Sequence, residues 1–316
     1  MKQDDAIMPH DLRLVFMGTS DFSLTALKAL LDAGFNVIAV YAQAPKPTGR
    51  SYKIQKSPVQ RFAEDKNINV YIPQSLKSGQ EELLRSLRPD LAVVSSYGLI
   101  IPANMLRVPT HGFINIHTSL LPRWRGAAPI RSAILAGDSQ TGVTIMKMDS
   151  GVDTGDIIAV ESVDITSKTN HGELEERLGR IGAEMIVDVI NNLEEKLFKA
   201  RRQPESGALY APKVNKESSR VDWHNSAENI LRQIMAFSPT PGAWCEIAGL
   251  RVQILDAEIT MDDAIRQAGR ISAGMAVSCG GGGSLRLTLV RPAGKNAMSG
   301  EDFLRGRKDL MGKIIT

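Results

Sequence analysis

An α/β protein carrying a smaller all-β domain is the fold class this sequence predicts, on three observations. Over residues 1–200, short apolar runs alternate with stretches of helical period, the pattern of a parallel sheet joined by crossover helices. At 201–213 the composition turns to Arg, Gln, Pro, Glu, Ser and Gly, as a linker does. Beyond it, 214–316 holds one helical pattern and several short alternating runs, which is how small barrels read.

In chain order, 12–16, 37–41, 91–95, 113–117 and 142–148 read as strands, and 22–31, 59–65, 80–87 and 130–136 as helices. A Rossmann-like sheet follows. The first βα turn, Gly18-Thr19-Ser20-Asp21, lies where a dinucleotide fingerprint would sit. It lacks G-x-G-x-x-G and reads instead as the cap of the first helix. Residues 173–199 form one long helical pattern, apolar at 174, 178, 181, 185, 189, 190 and 193, expected to cover the sheet as its last helix. In the second half, 226–235 reads as a helix, Pro239 and Pro241 break it, and 243–247, 251–257, 275–278 and 285–290 read as strands of an OB-like β-barrel. The glycines at 280–283 read as a hairpin turn, because no Lys-Ser/Thr pair or helix start follows them as a phosphate cradle requires. The expected domains are 1–200, with a polar extension over 1–11, then the basic linker 201–213, then the barrel 214–316.

Length and composition agree. A chain of 316 residues with 43% hydrophobic content has the material for about two domains with real cores. Cys245 and Cys279 show neither metal spacing nor a disulfide framework, and the five histidines are scattered. Residues 1–10 lack the apolar stretch of a secretory signal, and no apolar run approaches the roughly 20 residues of a membrane span. A cytoplasmic, metal-free protein with no membrane association is therefore expected. The formal net charge of +3 is divided unevenly, with −1 over 1–200 and +4 over 201–316. Clustering matters more than the total. No acidic residue occurs between Asp32 and Glu64, while Lys46, Arg50, Lys53, Lys56 and Arg61 do, so phosphate is a plausible partner for that stretch.

The most informative run is Asn115-Ile116-His117-Thr118-Ser119-Leu120-Leu121-Pro122-Arg123-Trp124-Arg125-Gly126-Ala127-Ala128-Pro129. In an extended strand, residues i and i+2 point to one face, so Asn115 and His117 project side by side. A carbonyl oxygen placed between them would meet two donors. The loop that follows stands at a strand's C-terminal end, where open α/β sheets bind ligands. Further on, Asp149-Ser150-Gly151-Val152-Asp153-Thr154-Gly155-Asp156 supplies carboxylates expected to reach His117 from the neighbouring strand. Alone, an Asn-x-His pair is usually a capping amide and a satisfied histidine, and Asp153-Thr154-Gly155-Asp156 is a turn. Together they compose an acyl-transfer centre. The amide and imidazole stabilise an oxyanion, and the carboxylate fixes the imidazole's tautomer or moves protons. No Ser or Cys nucleophile is needed if the attacking amine belongs to the substrate.

These runs, taken with Met17-Gly18-Thr19-Ser20-Asp21-Phe22, Ser57-Pro58-Val59, Tyr97-Gly98-Leu99-Ile100, Gly142-Val143-Thr144-Ile145-Met146 and Tyr210-Ala211-Pro212-Lys213, resemble the folate-dependent formyltransferases over about residues 13–309. The longer matches are most similar to the branch that formylates initiator methionyl-tRNA. The resemblance implies 10-formyltetrahydrofolate as co-substrate and initiator methionyl-tRNA as partner, with no metal, and a monomer is expected. It places the catalytic residues on Asn115, His117 and Asp153, and the folate-contacting turn on Ser119, Leu120, Leu121 and Pro122. It also assigns tRNA contacts to Lys46, Arg50 and Lys53 on the basic loop and to Lys213, with Arg50 sensing the unpaired first base pair of the initiator. Thr118 and Ser20 depart from the usual residues of the family without touching this chemistry.

Two alternatives stay open on sequence alone. A sugar-nucleotide or glycinamide-ribonucleotide formyltransferase would keep the same three residues, although the second domain argues against the short purine enzyme and the basic loop against the nucleotide-sugar enzymes. A catalytically silent RNA-binding protein could retain the fold. Intact Asn115, His117 and Asp153 argue against it.

Overall fold

The computed structural model describes residues 8–48, 53–77, 79–215, 217–260 and 267–315, and the chain groups into two compact units. The first unit is built on a seven-stranded sheet. In chain order its elements are β1 (Leu14–Gly18), α1 (Asp21–Asp32), β2 (Val37–Tyr41), β3 (Lys46–Thr48), β4 (Lys53–Gln55), α2 (Pro58–Asp65), β5 (Asn69–Tyr71), α3 (Gln80–Ser86), β6 (Leu91–Ser95), β7 (Phe113–His117) and β8 (Arg125–Gly126). After α4 (Pro129–Ala136) come β9 (Gln140–Lys147), β10 (Ile157–Asp164), α5 (His171–Asn191), α6 (Leu193–Phe198) and β11 (Tyr210–Ala211).

The sheet order is β10-β9-β7-β6-β1-β2-β5. Strands β1 and β6 are buried at every position, and their uninterrupted apolar runs are what a parallel strand covered on both faces requires. One face of the sheet packs Val15, Met17, Ala39, Tyr41, Ala92, Val94 and Phe113 into a core with Leu84 and Met105. Helix α1 starts where expected, capped by the Ser20 hydroxyl, which accepts from the Ser23 amide at 3.3 Å. Ser57 does the same for α2 ahead of Pro58, whose missing N–H costs nothing at the first helical position.

Three expectations are corrected here. The sheet is not parallel throughout, because β9 runs antiparallel to β7, pairing His117 with Thr144 and Ile114 with Lys147. The pattern over 173–199 is two helices, interrupted at Asn192. The basic stretch after β2, read as an irregular loop, forms an antiparallel ladder between β3 and β4. Strands β5 and β10 were not expected; β5 is only three residues long, and β10 buries a single residue, Val163, and shows no apolar alternation.

The second unit comprises 127–141, 163–175 and 211–316, so α4 and the segment preceding α5 group with the C-terminal part of the chain. Its further elements are α7 (Ala227–Phe237), β12 (Ala243–Ile247), β13 (Leu250–Thr260), β14 (Ile271–Ser272), β15 (Ala276–Ser278), β16 (Ser284–Pro292), β17 (Met298–Ser299) and α8 (Gly300–Arg305). The expected barrel strands form one antiparallel sheet of order β12-β13-β16-β15-β14, with β17 on β16. Helix α7 presents Ile230, Leu231, Ile234 and Met235 on one side and packs against α4 and β13. The turn at 280–283 is the expected hairpin: Cys279 N–H donates to the Gly283 carbonyl, and Gly281, Gly282 and Gly283 all take left-handed backbone angles. His171 is buried in this unit, where burial and the Arg131 guanidinium push its pKa down to about 3. It is a neutral packing residue.

Because Ile130 and Ile134 of α4 are buried in the unit that the C-terminal part of the chain completes, a fragment ending at residue 206 is expected to be destabilised. Uncovering two such side chains costs about 3–6 kcal/mol. Urea unfolding of the fragment against the full chain measures it, and an unchanged midpoint would show that α4 finds other cover.

Candidate active site

Strand β7 alternates as the sequence requires. Ile116 packs on the face where Gly182 of α5 leaves room for it, while Phe113, Asn115 and His117 share the other face. His117 is 5% exposed, so its ring meets protein on nearly all sides. Its Nε2 lies 3.0 Å from the Trp124 carbonyl oxygen. A carbonyl can only accept, so that nitrogen carries the proton, and Nδ1 of the neutral ring keeps its lone pair. The tautomer is thus fixed by a backbone carbonyl. The carboxylate expected beside the imidazole faces the ring's other nitrogen: Asp153 Oδ2 is 3.6 Å from His117 Nδ1 and accepts from the Gly126 N–H at 2.8 Å, while Oδ1 accepts from Asn115 Nδ2 at 3.4 Å.

The route by which Asp153 arrives is also different from the expected one. Since β9 is antiparallel to β7, its last residue, Lys147, stands opposite Ile114, at the far end of β7 from His117. A loop must therefore fold back from there. It does so after Lys147, whose N–H donates to the Asp156 carbonyl at 2.8 Å. Asp149 supports the bend, accepting from Gly151 N–H at 3.0 Å and from the Thr154 hydroxyl at 2.7 Å. Gly155 passes so close to the Lys147 carbonyl that a Cβ there would overlap it. Asp153 itself has φ 52°, a left-handed conformation that costs a non-glycine residue about 1–2 kcal/mol. Something outside the loop has to hold it there. Gln203 does, donating to the Asp153 and Gly155 carbonyls at 2.9 and 2.8 Å.

The turn after β7 is tied down equally. Thr144, fully buried on β9, donates to the Ser119 carbonyl at 2.6 Å and accepts from Leu121 N–H at 3.2 Å. The Ser119 hydroxyl donates to the Arg123 carbonyl at 2.6 Å, closing the turn on itself. Of the four residues expected to contact folate, Ser119 and Leu121 are buried, whereas Leu120 and Pro122 are partly exposed. Lys213 is exposed. Lys46 and Lys53 are placed by the β3–β4 ladder, and Arg50 lies outside the described residues. Among the described residues, no group of three or more His, Cys, Asp or Glu side chains is positioned to hold a metal ion.

Asn115, His117 and Asp153 thus meet on one strand face. A formyl transferase family profile matches residues 12–190, and a profile for the C-terminal domain of formyl transferases matches 213–308. A methionyl-tRNA formyltransferase from Jannaschia sp. is 43% identical over 96% of this chain and all of its own length. One from Roseobacter denitrificans is 45% identical, over 93% of this chain and 96% of its own. The chain belongs to the methionyl-tRNA formyltransferase family. The fold agrees with that of more distant solved structures. WlaRD, a sugar 3N-formyl transferase, superposes with a TM-score of 0.65 at 19% identity, over 90% of this chain and 99% of its own. HypX from Aquifex aeolicus, solved with tetrahydrofolic acid, gives 0.63 at 18%, over 93% of this chain and 47% of its own. Family motifs carried Asn115, His117 and Asp153 as reacting residues, but not the contacts that hold them in place. Trp124, Gly126 and Thr144 lie within the matched runs, but their contacts gave no signal, because two act through backbone atoms and Thr144 reads as an ordinary strand residue; Gln203 lies outside every matched run and reads as a linker residue.

Proposed function

We propose that the chain transfers the formyl group of 10-formyltetrahydrofolate to the α-amine of initiator methionyl-tRNA, in the cytoplasm, with Asn115, His117 and Asp153 as the reacting centre. The observation that carries this is the convergence of an amide donor, an imidazole nitrogen and a carboxylate within 3.6 Å on one strand face. The formyl oxygen faces Asn115 Nδ2 and His117 Nδ1. As the α-amine attacks the formyl carbon, its proton passes to the Nδ1 lone pair, which is available because Nε2–H is committed to Trp124. The imidazolium so formed and the Asn115 amide hold the oxyanion, and Asp153 stabilises the charge the ring has gained. When the carbon–N10 bond breaks, the same proton goes to N10. Ser119, Leu120, Leu121 and Pro122 form the turn against which the folate lies. Lys46, Arg50, Lys53 and Lys213 take the tRNA.

The test is a formylation assay with charged initiator tRNA and 10-formyltetrahydrofolate, offering glycinamide ribonucleotide and free methionine as competing acceptors. Transfer to the tRNA alone is expected. Binding of that tRNA should weaken steeply with salt, with log K falling by about 0.7–0.9 per log unit of salt for each phosphate contact, whereas donor binding should barely respond. A salt-insensitive tRNA affinity, or preferential formylation of either small acceptor, would remove the tRNA reading.

A further inference from the structure

We propose that Gln203 and Arg125 are positioning residues of the reacting centre, acting through Asp153; the inference rests on reading Asp153 as part of that centre. The segment around Gln203 has the composition of a solvated linker, and Arg201, Arg202, Pro204 and Glu205 are exposed. Gln203 is the exception at 5% exposure. Both ends of its amide are used. Oε1 accepts from Arg125 Nε at 3.0 Å and Nη2 at 2.8 Å, while Nε2 donates to the Asp153 and Gly155 carbonyls. A guanidinium can only donate and a carbonyl can only accept, so a single orientation of the amide satisfies all four contacts. No other side chain of this length offers an acceptor at one end and two donors at the other. The segment is pinned beside it, where Arg201 exchanges both backbone hydrogen bonds with Ile157, at 2.9 and 2.8 Å.

Arg125 is the other half of the clamp. It is 9% exposed, and its neighbours on either side do the holding: Trp124 bonds His117 through its carbonyl, and Gly126 bonds Asp153 through its amide. Fixing Arg125 to Gln203, and Gln203 to the Asp153 carbonyl, joins the two loops into one ring of hydrogen bonds. Asp153 is then held by its side chain from one loop and by its backbone from another. The ring sets the position of the carboxylate against Asn115 and His117, which neither loop can do alone.

The experiment is a double-mutant cycle on single-turnover formylation in the full-length protein. Gln203→Ala should lower kcat about 10- to 100-fold, as misplacements of the order of 1 Å do, with KM for the donor and for charged tRNA within about threefold of the original. In an Asp153→Asn background, the same change should cost about twofold or less, because the carboxylate it positions is gone. Gln203→Glu should not rescue, since it turns an oxygen toward two carbonyls. If Gln203→Ala does not accumulate folded, Gln203→Met, which refills the volume without the amide, carries the comparison. A kcat unchanged by Gln203→Ala, or an equal loss in both backgrounds with a lowered Tm, overturns the proposal in favour of a purely structural residue. If Asp153→Asn alone leaves kcat unchanged, the reading of the centre fails, and the clamp falls with it.

Discussion

Replacing Asn115 or His117 by Ala is expected to cut kcat about 100- to 1000-fold while the donor's dissociation constant stays within a few fold. That is the usual cost of removing one donor aimed at a developing oxyanion. The ground-state formyl oxygen is weakly charged and gains little from either group, so the loss falls on the chemical step rather than on binding. Single-turnover rates at saturating donor check this. Near-normal turnover in either variant would mean that the side chain is a capping group, and the oxyanion assignment would be withdrawn.

Asp153→Asn should cost about 100- to 10,000-fold, the range in which positioned proton-handling groups contribute. The substitution isolates charge from shape. Asn tolerates the left-handed backbone at φ 52° about as well as Asp, and its carbonyl oxygen can still accept from Gly126 N–H, so the loop should keep its conformation. What changes is the other oxygen, replaced by an NH2 facing the Asn115 amide, and the loss of negative charge 3.6 Å from His117 Nδ1. A normal thermal midpoint with lost turnover is the expected pair of results. Retained turnover with a lowered midpoint would make Asp153 a structural residue of the loop.

The fold was legible wherever periodicity and burial agree. Strands β2, β6 and β7 lie at the predicted residues, because each is an apolar run buried on at least one side and bounded by turn residues. Strand β1 lies two residues later than expected, since Leu12 is buried and apolar but sits in the turn before the strand. Asn115 and His117 could be paired from strand geometry alone. Asp153 could not. Its arrival depends on the direction of β9, and the apolar pattern of a strand is the same whichever way it runs. Gln203 was less legible still, since its burial is decided by a guanidinium 78 positions away. A polar residue between arginines and a proline reads as solvated when only its neighbours are considered.

The holding of His117 by the Trp124 carbonyl means that the loop's main contribution to the site is written in peptide atoms. Trp124 takes φ 61°, and its carbonyl would remain in place whatever side chain the position carried, provided that the conformation survives. An alanine scan across 122–126 would therefore report on aromatic packing and backbone strain, and would score the contact with the imidazole as absent. The group that selects the tautomer would be invisible to side-chain genetics and would become visible only when the peptide bond itself is altered, as in an ester replacement that leaves every side chain in place and weakens one carbonyl acceptor.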